Sequence, residues 1–200
     1  MHSHTALIAV DVQYDFLPGG ALGVPGADAV VEPLLRAARD VALVVRTRDA
    51  HPAAHCSFAE QGGPWPPHCV LGTRGAELHP AIAALPGPLI DKATAIEPDA
   101  YSGFDGTGLA ALLRAAGITH VLVGGLATDY CVKATVLHAL EAGFEVTVLR
   151  EAIAAVDVEP GDGERALEEM TRAGACVVRR WGREDSNLRL TDYESAALTN

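Results

Sequence analysis

Short unbroken apolar runs alternate along this chain with stretches of helical spacing. Ala6-Leu7-Ile8-Ala9-Val10, Val41 to Val45, Leu89-Ile90, His120 to Val123, Glu145 to Leu149 and Ala175 to Val178 predict strands covered on both faces. Ala27 to Arg39 sets Val30, Val31, Leu34, Leu35 and Ala38 at helical intervals. Gly108 to Ala116 and Thr128 to Glu141 predict helices closed by Gly117 and Gly143, and Asp162 to Arg172 one followed by Gly174. This order predicts an α/β fold, three layers αβα around a mostly parallel central sheet. Residues 47–88 are rich in Pro, Gly, His and Trp and lack periodicity, as does 93–106. Loops of that length in a compact domain usually carry function. With no repeat or linker, residues 1–200 read as one domain, with a core of about 6–178 and a polar C-terminal extension over 181–200.

Hydrophobic residues make up 49% of the chain and the net charge is −11, which argues against disorder and against nucleic acid or anionic membrane as partners. No apolar run approaches the roughly 20 residues of a membrane span. The N-terminus runs straight into a strand without a signal peptide, so a cytoplasmic location is expected. Cys56, Cys69, Cys131 and Cys176 are scattered without a CxxC pair and read as reduced thiols. Cys176, inside a predicted strand, reads as core.

Chemistry gathers at predicted strand ends. Asp11 follows the first strand, Asp49 the second and Lys92 the third, and Gly125 to Cys131 the fourth. Parallel sheets bind ligands at the carboxyl ends of their strands, so these residues converge. A thiol opening a helix feels the positive end of the macrodipole, which favours thiolate, the nucleophile of cysteine catalysis. An aspartate beside it can take its proton, and a lysine beside both stabilises the two anions. In the long loop, Asp49-Ala50-His51 with His55 and His68 forms an oxygen and nitrogen donor set suited to zinc, iron or manganese. Pro66 and Pro67 stiffen the chain before His68. Phe16, Trp65 and Tyr101 are aromatic candidates for the wall of a ring pocket.

Taken together, Asp11-Val12-Gln13-Tyr14-Asp15-Phe16, Asp49-Ala50-His51-Pro52, Trp65-Pro66-Pro67-His68-Cys69, Tyr101-Ser102-Gly103-Phe104 and Ala127-Thr128-Asp129-Tyr130-Cys131 resemble the nicotinamidase branch of the isochorismatase-like (cysteine) hydrolases. The resemblance spans about Ala6 to Val178 and implies that family's fold. It implies Asp11, Lys92 and Cys131 as the catalytic triad. It implies Asp49, His51 and His68 as ligands of one divalent metal ion, with zinc ahead of iron and manganese. His55 matches a position that is a direct ligand in some members and stands behind the ligands in others. The peptide Leu126-Ala127 matches a cis bond, with the Ala127 and Cys131 amides as oxyanion hole, and Phe16, Trp65 and Tyr101 match residues packed on a pyridine ring. The implied reaction is hydrolysis of nicotinamide, a small-molecule substrate, and of pyrazinamide. The family often associates, so a homo-oligomer, with a contribution from 181–200, is also implied. The nearest rival is a related hydrolase of N-carbamoyl or ureido compounds, which would need no ring-binding metal.

Overall fold

The computed structural model describes residues 2–181. Six strands form one sheet: β1 (His2–Val10), β2 (Val41–Asp49), β3 (Leu89–Lys92), β4 (His120–Leu126), β5 (Glu145–Ala154) and β6 (Cys176–Val178). Their order is β3-β2-β1-β4-β5-β6 and every pair is parallel. The chain winds outward from β1 to β3, then returns to place β4 on the other side of β1. That reversal leaves a crevice beyond the carboxyl ends of β1 and β4, where ligands of open α/β sheets bind.

Helices cover both faces because the strands are apolar on both. Ile8, Val10, Val121, Val123, Val146 and Val148 pack against α3 (Leu109–Ala115), α4 (Lys133–Glu141) and α5 (Asp162–Arg172). The alternate residues Leu7, Ala9, Val44, Leu122 and Leu149 pack under α1 (Val31–Ala37) and the short α2 (Pro80–Ala83). The three-layer architecture is the expected one. Among the described residues no helix is long and apolar enough to cross a membrane.

Some boundaries differ from the sequence expectation. β1 begins at His2, β2 runs on to Asp49 and β4 to Leu126, because backbone pairing continues where polar residues and glycines break the apolar run. The helix expected from Ala27 starts as a 3₁₀ turn over Ala27–Val30. That expected from Thr128 starts as a π-helical turn, Thr128–Val132, before α4. Cys176 is exposed rather than core, since β6 is the edge of the sheet. The expected roles of residues 182–200 lie outside the described residues.

Gly125 allows β4 to end against β1. Its φ is +128°, and a Cβ there would lie 2.0 Å from the Val10 carbonyl oxygen. Backbone cannot yield as a side chain can. Gly125→Ala is therefore expected to lower stability by about 3 kcal/mol, read as an earlier urea midpoint; an unchanged midpoint would contradict this packing.

Candidate active site

The three strands β1, β2 and β3 each deliver one charged side chain to the same point. Asp49 and Lys92 are direct register partners at the ends of β2 and β3. Asp11, just past β1, adopts a left-handed backbone with φ +49°. For a residue with a side chain this conformation costs on the order of 1 kcal/mol or more. Its amide donates to the Thr47 carbonyl at 3.2 Å, and Thr47 Oγ1 donates to Asp11 Oδ1 at 2.6 Å.

Lys92 sits fully buried among anions. Its Nζ donates to Asp49 Oδ1, lies 3.0 Å from Asp11 Oδ2, donates to the Ala100 carbonyl at 3.2 Å and approaches Cys131 Sγ at 3.5 Å. Burial works against the ammonium, yet Asp11, Asp49 and Cys131 hold its pKa well above the usual value. The Lys92–Asp11 contact is an ion pair outside hydrogen-bond geometry, so Asp11 Oδ2 is buried without a hydrogen bond. Burial raises the Asp11 carboxyl to about 6, and Lys92 opposes the shift. An oxygen that is free and more basic than usual is suited to receive a proton.

Cys131 does not open an α-helix. It lies inside the π-helical turn, two residues before α4. Burial raises the thiol's pKa well above the ordinary value, the carboxylates of Asp11 and Asp49 push the same way, and Lys92 pulls it down. The expected thiolate, favoured by the helix dipole, is thus corrected to a thiol beside a base. Desolvation of a fully buried sulfur outweighs the dipole. Donor atoms of Asp11, Asp49 and Cys131 lie within 4.8 Å of one another.

Next to this cluster, donor atoms of Asp49, His51 and His68 also fall within 4.8 Å of one another. His68 Nδ1 donates to the Pro66 carbonyl at 2.8 Å, so Nε2 is the ring nitrogen left for a ligand role. His51 is buried; burial lowers its pKa to about 4, so its ring is neutral, and its Nδ1 has no hydrogen-bond partner. One carboxylate and two imidazoles fit a divalent ion. His55 falls outside this set. Its ring stacks on His51 at 4.1 Å, and its Nδ1 accepts the Ser57 amide at 3.3 Å, so a neutral His55 carries its hydrogen on Nε2.

A pocket of about 460 Å³, open mouth included, joins the two clusters. Cys131, Asp49 and His68 line it together with Phe16, Trp65 and Tyr101, the three aromatics expected from sequence. Trp65 Nε1 donates to Tyr101 Oη at 3.1 Å, which couples two walls. Leu126–Ala127 is cis, and Ala127 lines the pocket with Cys131.

Several supporting residues escaped the sequence reading. Tyr130 is a fourth aromatic wall, 5.1 Å edge-on from Trp65. Gln13 is fully buried and grips Asp49 by its main chain: Nε2 donates to the Asp49 carbonyl and Oε1 accepts the Asp49 amide, both at 2.8 Å. Asp15 Oδ2 accepts the Cys69 amide at 2.7 Å, which fixes the residue after His68 in a left-handed conformation. The available signal was Gln13 and Asp15 alternating with Asp11 in one motif; their partners, far along the chain, gave none.

Residues 5–180 match the Isochorismatase domain. The chain is 40% identical over 201 residues to the nicotinamidase of Escherichia coli (strain K12), spanning 86% of this chain and 93% of that relative. The pyrazinamidase of Pyrococcus horikoshii, solved in complex with zinc, superposes with a TM-score of 0.83 at 48% identity, over 89% of this chain and 99% of that one. PnC1 from L. infantum, solved in complex with nicotinate, gives a TM-score of 0.82 at 37% identity, over 88% and 92%. Matched along nearly all of its described length, the chain belongs to the isochorismatase domain family.

Proposed function

We propose that this protein is an amidohydrolase that converts nicotinamide to nicotinate and ammonia, and cleaves pyrazinamide likewise. The observation that carries the reading is the approach of Asp11, Lys92 and Cys131, with Cys131 lining an aromatic pocket that Asp49 and His68 of the adjoining Asp49/His51/His68 donor set also line. Relatives named nicotinamidase and pyrazinamidase support the substrate class.

In the proposed reaction, Asp11 Oδ2 takes the Cys131 proton and the sulfur attacks the carboxamide carbon. The negative charge that develops on the carbonyl oxygen is met by the amides of Ala127 and Cys131, a kind of donor worth about 3 kcal/mol each. Asp11 then passes its proton to the departing nitrogen, which leaves as ammonia. Water attacks the Cys131 thioester, Asp11 accepts the water proton, and nicotinate leaves as the sulfur regains its hydrogen. Lys92 keeps positive charge beside Asp11 and Cys131 throughout. Phe16, Trp65, Tyr101 and Tyr130 sandwich the flat ring and exclude water.

Asp49, His51 and His68 would hold a divalent ion, which would supply a Lewis-acidic anchor for the ring nitrogen. Zinc leads, because the donor set suits it and a relative was solved with zinc. His55 stands behind the ligands and steadies His51. The free cysteines among the described residues suit a reducing, cytoplasmic setting.

Three measurements test this reading. Wild type should release ammonia from nicotinamide and Cys131→Ala should not; an inactive wild type or an active variant sinks the proposal. Dialysis against chelator should lower turnover, zinc should restore it, and Asp49→Ala should retain less metal by elemental analysis. Full activity in metal-free protein would remove the ion from the chemistry. Lys92→Met strands two buried carboxylates and should destabilise the metal-free protein by about 3–5 kcal/mol in urea unfolding; an equally stable variant would mean the carboxylates are not both charged.

A further inference from the structure

The loop between β5 and α5 has no part in the proposed chemistry, yet it is fastened to the nucleophile's own turn. Asp129, two residues before Cys131, is buried, and its carboxylate accepts two consecutive amides. Oδ1 takes Val156 N–H at 3.0 Å and Oδ2 takes Asp157 N–H at 2.9 Å. Asp157 has a left-handed backbone, φ +52°, and its Oδ1 accepts the Gly163 amide at 2.8 Å. A Cβ on Gly163 would sit 2.6 Å from the Ala155 Cβ, so α5 abuts the residue before Val156. Residues 155–157 are thus held from two sides, by the turn that carries the thiol and by α5. The next residue, Val158, is 62% exposed, so the restraint is local.

Val156 itself lines the pocket beside Ala127, Tyr130 and Cys131. Its β-branched side chain has few rotamers, and its backbone is anchored by a charge-assisted bond. Both conditions make a stiff wall. A carboxylate so near the thiol could instead carry protons, but both Asp129 oxygens are occupied by backbone donors.

We propose that Val156 determines specificity for the bulk of the substrate ring and that Asp129 is the positioning residue that holds this wall at a set distance from Cys131. The inference rests on the amidohydrolase reading above. The accepted class is then small neutral aromatic amides with no substituent on the ring edge that meets Val156. A rigid apolar wall discriminates one methyl group by about 10-fold or more.

The test is kcat/KM for nicotinamide and for each of its ring-methylated isomers. Val156→Ala should raise at least one isomer about 10-fold relative to nicotinamide. Asp129→Asn removes nothing from the pocket and keeps only one good acceptor, so it should shift the same isomer in the same direction, about 3-fold or more, with wild-type metal content. The double variant should shift no further than Val156→Ala alone. Should Asp129→Asn fail to fold, Gly163→Ala pushes the same loop from the α5 side and is read identically. Unchanged ratios in Val156→Ala, or an Asp129→Asn enzyme that slows every amide by one common factor, would overturn the inference. Calorimetric binding of nicotinate and methylnicotinates to wild type and Val156→Ala reads the wall without turnover. A wild type that binds with this preference but releases no ammonia would sink the reaction and leave the wall standing.

Discussion

One ammonium group organises the centre of this protein. Lys92 is fully buried and meets Asp49, Asp11, the Ala100 carbonyl and the Cys131 sulfur. A lone charge in such surroundings would be strongly disfavoured, and so would either carboxylate without it. The three charges are therefore interdependent. Asp49 belongs at once to this network and to the His51/His68 donor set, so the cysteine cluster and the histidine cluster share a residue. Whatever displaces Lys92 disturbs both.

The sheet makes that meeting possible. Asp11, Asp49 and Lys92 come from three neighbouring strands, and parallel pairing sets them level at one edge. β4 adds the sulfur from the other side of β1, where the strand order reverses. Gly125 lets β4 finish in contact with Val10, and the π-helical turn then brings Cys131 back over the strand ends. The same elements explain why the thiol is held protonated beside a base. Lys92 only opposes the desolvation of the sulfur, while the Asp11 oxygen beside it has no hydrogen bond and can accept a proton.

Around this centre runs a layer of buried and half-buried polar side chains that grip main chain rather than substrate. Gln13 holds Asp49, Asp15 holds Cys69 beside His68, and Asp129 holds the β5–α5 loop. Each uses short bonds to backbone groups, which reproduce geometry better than contacts between flexible side chains. The pocket wall and the donor set inherit their stiffness from these residues.

Sequence by itself determined the layered α/β architecture, because unbroken apolar runs alternate with helical spacing and only a parallel sheet covered on both faces buries them. It also singled out Asp11, Asp49, Lys92 and Cys131, since a charged or reactive residue ending a buried strand has few places to go. Only the folded chain shows the burial of Cys131 beside Lys92, the exposure of Cys176 on an edge strand, and the packing of His55 against the His51 ring. It alone revealed Gln13, Asp15, Asp129 and Tyr130 as supports. Those properties depend on burial and on partners that are distant along the chain, and neither local propensity nor periodicity carries information about them.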